Sequence, residues 1–136
     1  MEQVLILVGA GLLVMLGVMH LLTTVFKTDF DPEDPQLKES MQRGTVKMSK
    51  DLPIYPMWIG LNMTHSTAVI ILGTFLVLLA GFHMDFLATA PVFLLFAIGV
   101  GVFFMGLAKK YFFLPPFIFL TFSTALFSVA AVRLYL

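Results

Sequence analysis

The chain has 136 residues, 60% of them apolar and 12% charged, about half the charged fraction of an average soluble domain. With 15 Phe, 9 Met and a mean hydropathy of +1.00, its apolar surface calls for a bilayer rather than water. Eight basic residues balance eight acidic ones and there is no Cys, which leaves no basic stripe for nucleic acid and excludes disulfides, thiolate metal sites and Cys nucleophiles.

The first apolar run, roughly Val4 to Phe26, is long enough to cross about 30 Å of hydrocarbon at about 1.5 Å per helical residue. Met1-Glu2-Gln3 supplies no basic n-region, and no small-residue cleavage motif follows the run. It is therefore expected to be retained rather than removed as a signal peptide.

Residues 27–56 form the one stretch of soluble composition, too short for a domain of its own. Asp34 and Pro35 read as N-cap and first helical residue, Leu37 and Met41 share a face at i, i+4, and Gly44 can end the turn. This predicts a short amphipathic helix, Pro35 to Arg43, lying on the membrane surface. A helix that docks a partner would carry the same pattern. Asp51 to Pro56, with two prolines, is expected to be extended.

Three further spans follow, roughly Met57 to Ala80, Leu87 to Ala108 and Phe117 to Tyr135. Gly81 is the expected C-cap of the second, Pro91 sits in the first turn of the third, and Pro115 and Pro116 open the fourth, where a proline breaks no intrahelical bond. Lipid offers no partner to free backbone groups, and the runs lack the period-2 alternation of a barrel. The expected fold is all-α: a transmembrane four-helix bundle with a short interfacial helix in the first loop.

Lys27, Lys38, Arg43, Lys47 and Lys50 lie between the first and second spans and Lys109 and Lys110 between the third and fourth, against Arg133 alone on the other side. Such a bias puts the long loop in the cytoplasm and both termini outside. Tyr55, Trp58 and Tyr111 then fall at the cytoplasmic interface and Tyr135 at the outer one.

Thr64-His65-Ser66-Thr67-Ala68 in the second span resembles Thr121-Phe122-Ser123-Thr124-Ala125 in the fourth, and Gly17-Val18 in the first span resembles Gly101-Val102 in the third. A duplicated hairpin would leave this trace, and so would chance in spans of narrow composition. On the duplication reading, Phe104 and Phe122 stand where His20 and His65 stand in the first hairpin.

Ionisable side chains within a span are functional candidates by default. His20 lies about 9 Å and His65 about 12 Å of helical rise from the same end of their spans. Asn62, His65 and Ser66 share one helical face at i, i+3, i+4, and Gly17, His20 and Thr24 share another. The expected cluster is His20, Thr24, Asn62, His65 and Ser66, joined in the same layer by Thr121 and Thr124. Three readings stay open: mutual hydrogen bonding as interhelical glue, a site for a lipid or small amphiphile, and a b-type haem held between His20 and His65.

Other patterns carry less. Asn62-Met63-Thr64 fits a glycosylation acceptor but falls inside a span. Ala97 and Gly101 form a small-xxx-small pair that permits close helix packing, and the Phe104, Phe112, Phe113, Phe117, Phe119 and Phe122 series reads as lipid and bundle packing. No phosphate loop, dinucleotide fingerprint, His-Glu-x-x-His or nucleophile elbow is present, and with no acid inside a span and 3 His in all a metal site is not expected.

The run Ile59-Gly60-Leu61-Asn62-Met63-Thr64-His65-Ser66 with Gly73, together with His20 and Tyr111-Phe112-Phe113-Leu114-Pro115, resembles an uncharacterised family of small bacterial four-helix integral membrane proteins with a Gly-x-Asn-x-Thr/Ser-His-Ser motif in the second helix. Against the Gly-Phe-Asn-x-Ser-His-Ser form of that segment, Leu61 and Thr64 are mild departures. The resemblance implies the fold, a bacterial cytoplasmic membrane and a role for Asn62, His65 and Ser66, but no activity. The functional expectation is a protein without catalysis of its own, an accessory subunit or lipid- or small-amphiphile-binding component of a larger membrane assembly, whose partners are lipids and other membrane subunits or further copies of itself. The alternative is a haem-binding redox or lipid-modifying enzyme component using His20 and His65.

Overall fold

The computed structural model describes residues 1–136. Six helices and one hairpin follow in chain order: α1 (Glu2–Phe26), α2 (Pro35–Arg43), β1 (Thr45–Val46), β2 (Ser49–Pro53), α3 (Ile54–Phe82), α4 (Met84–Thr89), α5 (Pro91–Tyr111) and α6 (Leu114–Tyr135). Helices α1, α3, α5 and α6 are long and apolar enough to cross a membrane. They leave large apolar side chains such as Ile71, Phe96, Phe103 and Phe122 on the outside, the surface a bilayer accepts.

Helix α2 has the predicted bounds, with the Asp34 carboxylate accepting from the Gln36 amide at 2.9 Å and Pro35 opening the first turn. Several boundaries differ from the sequence pattern. The extended segment expected over Asp51 to Pro56 stops at Pro53, and Pro56 falls in the first turn of α3, where its missing N–H breaks no bond. Gly81 does not cap: α3 continues through Phe82, and no glycine adopts positive φ. Leu87 belongs to the separate helix α4, and α5 starts at Pro91, which biases Ala90 out of the helical region (φ −124°, ψ 73°) and so splits the two helices. Helix α6 begins at Leu114, with Pro115 and Pro116 inside its first turn.

The hairpin was not legible in the sequence. Thr45 pairs with Pro53 and Val46 with Ser49, antiparallel, around Lys47 and Met48. Lys50, Asp51 and Leu52 bulge from the ladder between those pairs and are all exposed, so no alternation of apolar and polar residues marks the strands.

The chain divides into two compact units. The first comprises Met1–Leu16 and Val69–Leu136 and holds the whole apolar core, centred on Ile6, Ala10, Leu76, Leu94, Ala97 and Phe127. Close approach rests on glycine. A Cβ at Gly73 would stand 2.8 Å from Val14 Cγ2 and 2.9 Å from the Ala10 carbonyl, one at Gly9 2.8 Å from the Phe127 ring, and one at Gly101 against the Thr124 hydroxyl. Buried Ser123 donates across to the Gly9 carbonyl at 2.8 Å, whereas Ser66, its counterpart in the repeated pentapeptide, donates to its own helix. Polar latches close one end of this unit: Gln3 to the Ala80 carbonyl at 2.8 Å, Arg133 to Glu2 at 2.7 Å, and Tyr135 to the Leu87 carbonyl at 2.7 Å.

The second unit, Gly17–Ala68, contains the end of α1, the loop with α2 and the hairpin, and the start of α3. The Ile54 amide donates to the Gly44 carbonyl at 2.9 Å, tying the first turn of α3 to the end of α2.

Candidate functional site

Within the second unit, α1 contributes His20 and Thr24 and α3 contributes Asn62, His65 and Ser66, so all five of these predicted residues share one compact body. The hub is Asn62, which is buried. Its Nδ2 donates to the Trp58 carbonyl at 2.9 Å, and its Oδ1 lies 3.2 Å from His20 Nε2. A backbone carbonyl can only accept, so the amide orientation is fixed and His20 Nε2 must carry a proton and donate. The His20 and His65 rings meet edge to face with centroids 5.8 Å apart, which bears out the matched depth of the two imidazoles. Both rings are only partly covered by the chain.

Thr24 and Ser66 are buried beside this pair, but their hydroxyls turn inward: Thr24 donates to the His20 carbonyl at 2.7 Å and Ser66 to the Asn62 carbonyl at 2.8 Å. Such i−4 bonds satisfy the hydroxyl within its own helix. Thr121 and Thr124, expected in the same layer, belong to the first unit. There Thr121 donates to the Phe117 carbonyl at 2.7 Å and Thr124 packs on Gly101.

Sequence reasoning missed the strap over His20. Phe30, in the loop after α1, places its ring 4.5 Å from that of His20, centroid to centroid and edge to face. The Phe30 carbonyl accepts from Trp58 Nε1 at 3.0 Å. The next residue, Asp31, accepts from Lys38 Nζ and from the Tyr55 hydroxyl, both at 2.6 Å, and the Lys38 ammonium lies 5.2 Å from the centre of the Tyr55 ring. The available signal was an isolated aromatic between two aspartates in an otherwise polar loop.

The Lys38 ammonium, then the Tyr55 hydroxyl, hold the Asp31 carboxyl below its ordinary value, and Asp31 in turn holds Lys38 above its own. A lowered carboxylate contributes stability above its unfolded value of about 4 that is lost as pH falls through the folded value. A raised lysine contributes stability below about 10.4 that is lost as pH rises through its folded value. The strap is therefore expected to stay shut across the neutral range and to open in acid. Trp58 is the sole Trp, and its emission in a pH titration reports this directly. Asp31→Asn should show the acid-open spectrum at neutral pH, and an unchanged spectrum would show that Asp31 does not hold the strap.

A haem slung between the imidazoles would need one nitrogen of each ring aimed at a common iron, with an open plane between them for the macrocycle. Here His20 Nε2 is bonded to Asn62 and the two rings touch edge to face, so the pair as arranged does not fit that group. What it offers is one oriented N–H, two partly accessible imidazoles and an aromatic cover.

Four apolar helices of spanning length make the chain a multi-pass membrane protein. No family model, curated protein or solved structure matches it.

Proposed function

We propose that the chain is a transmembrane four-helix bundle of a bacterial cytoplasmic membrane that works without chemistry of its own, as the lipid- or small-amphiphile-binding component of a larger assembly. The observation that carries this reading is the His20–His65 pair beside buried Asn62, set on span-length helices with both rings only partly covered by their own chain. Polar rings facing hydrocarbon are costly. An occupant with a polar head and an apolar body complements both the imidazoles and the aromatic side of Phe30. Interhelical glue alone would favour complete enclosure of the rings.

Protein extracted with its native lipids and analysed by mass spectrometry tests the reading. A lipid or amphiphile is expected in stoichiometric amount with the parent chain and depleted in His20→Gln and His65→Gln. An identical lipid complement in all three would sink it.

The same reading places both termini outside, on the strength of the Lys and Arg distribution. A topology reporter fused after Leu136 should be active only outside the cytoplasm. Activity inside would reverse the orientation and move the His pair to the other leaflet.

A further inference from the structure

We infer that the β1–β2 hairpin is a contact finger for an anionic lipid leaflet. Met48 at its tip is 97% exposed, and Leu52 in the bulge is 44% exposed. Apolar side chains outside the spans and open to this degree gain by reaching a partly apolar phase. Lys47 and Lys50 stand beside them, both exposed. The charge pattern of the loop selects the partner. From residue 28 to 39 it carries Asp29, Asp31, Glu33, Asp34 and Glu39 against Lys38, whereas from residue 40 to 50 it carries Arg43, Lys47 and Lys50 and no acid.

Arg43 is paired with Glu39, so Lys47 and Lys50 are the cations left to meet an outside charge, with Asp51 the one acid next to them. Strand β2 runs directly into α3. Its tip is therefore within about 20 Å of the first turn of a span-length helix at about 3.3 Å per extended residue, which is headgroup range. An acidic protein partner would also attract the lysines. The exposed Met48 between them favours a surface that offers phosphate and acyl chain together.

The absence of Cys makes Met48→Cys a unique labelling site at a position where substitution disturbs no packing. The labelled full chain, carrying an environment-sensitive fluorophore, is placed in nanodiscs of phosphatidylcholine alone or of an equal mixture with phosphatidylglycerol. A blue shift and weaker acrylamide quenching are expected in the mixture, reversed at about 1 M salt, where the screening length is about 3 Å. Each lysine near an anionic surface is worth about fivefold in docking, so Lys47→Gln and Lys50→Gln together should abolish the difference between the lipids. Trp58 emission checks that every variant retains its fold. Equal emission and quenching in the two lipids would overturn the proposal. So would shielding that appears in phosphatidylcholine alone and survives both substitutions, which would mean a protein contact.

Discussion

Gly73→Leu is expected to destabilise the protein by about 3 kcal/mol or more, a large share of the roughly 5–15 kcal/mol that holds a domain folded. At Gly73, α3 lies so close to α1 that even a Cβ would stand 2.9 Å from the Ala10 carbonyl and 3.0 Å from the Val14 amide nitrogen. Both are backbone atoms, which cannot rotate aside as a side chain would. The helices must separate, and the neighbouring core contacts of Ala10, Leu13 and Leu76 loosen with them. Gly106→Leu is the control, since nothing lies within 4 Å of a Cβ there. It should stay within about 0.5 kcal/mol of the parent or gain a little from replacing a helical glycine. Thermal unfolding in one detergent compares the two, and equal midpoints would mean that the close approach does not support the fold.

Asn62→Leu is expected to lower stability by about 1–3 kcal/mol, because the His20 N–H loses its acceptor in a medium that supplies none. Under the proposed function the same substitution should also cost amphiphile binding, since it frees the His20 ring to turn away from its fixed orientation. Ser66→Ala, one turn along and fully buried, should do neither: its hydroxyl serves only the Asn62 carbonyl of its own helix. A double-mutant cycle between Asn62→Leu and His20→Gln should give a coupling of about 1 kcal/mol. A second cycle, His20→Gln with His65→Gln, read in both stability and amphiphile recovery, separates glue from site. Under the proposed function either His substitution alone empties the site with a stability change of about 1 kcal/mol or less. Zero coupling in both cycles would mean that the rings and the amide do not act together.

The reach of the sequence is clearest in the second unit. Depth counting placed His20 and His65 level with each other, and i, i+3, i+4 spacing put Asn62, His65 and Ser66 on one face. Both follow from the fixed rise and turn of a helix, so they needed no knowledge of neighbours. The same local logic gave α2 its bounds, because the Asp34 cap and Pro35 act within one turn. It failed at Gly81 and Leu87. Whether a glycine ends a helix depends on the conformation that the following chain demands: α3 breaks at His83 (φ −135°, ψ 40°), and Pro91 sets the separate break between α4 and α5.

Length, hydropathy and the lack of barrel alternation determined by themselves that this chain has four spanning-length helices, since burying backbone polar groups in hydrocarbon leaves few options. Tertiary structure alone decided which hydroxyls of the polar layer face inward, that Asn62 orients His20, and that Phe30 covers it through anchors at Lys38, Tyr55 and Trp58. Those contacts join residues far apart in the chain, some across the whole of α2 and the hairpin. A hydrogen bond or ring contact between distant residues depends on where two backbones pass each other, a quantity that no local periodicity encodes.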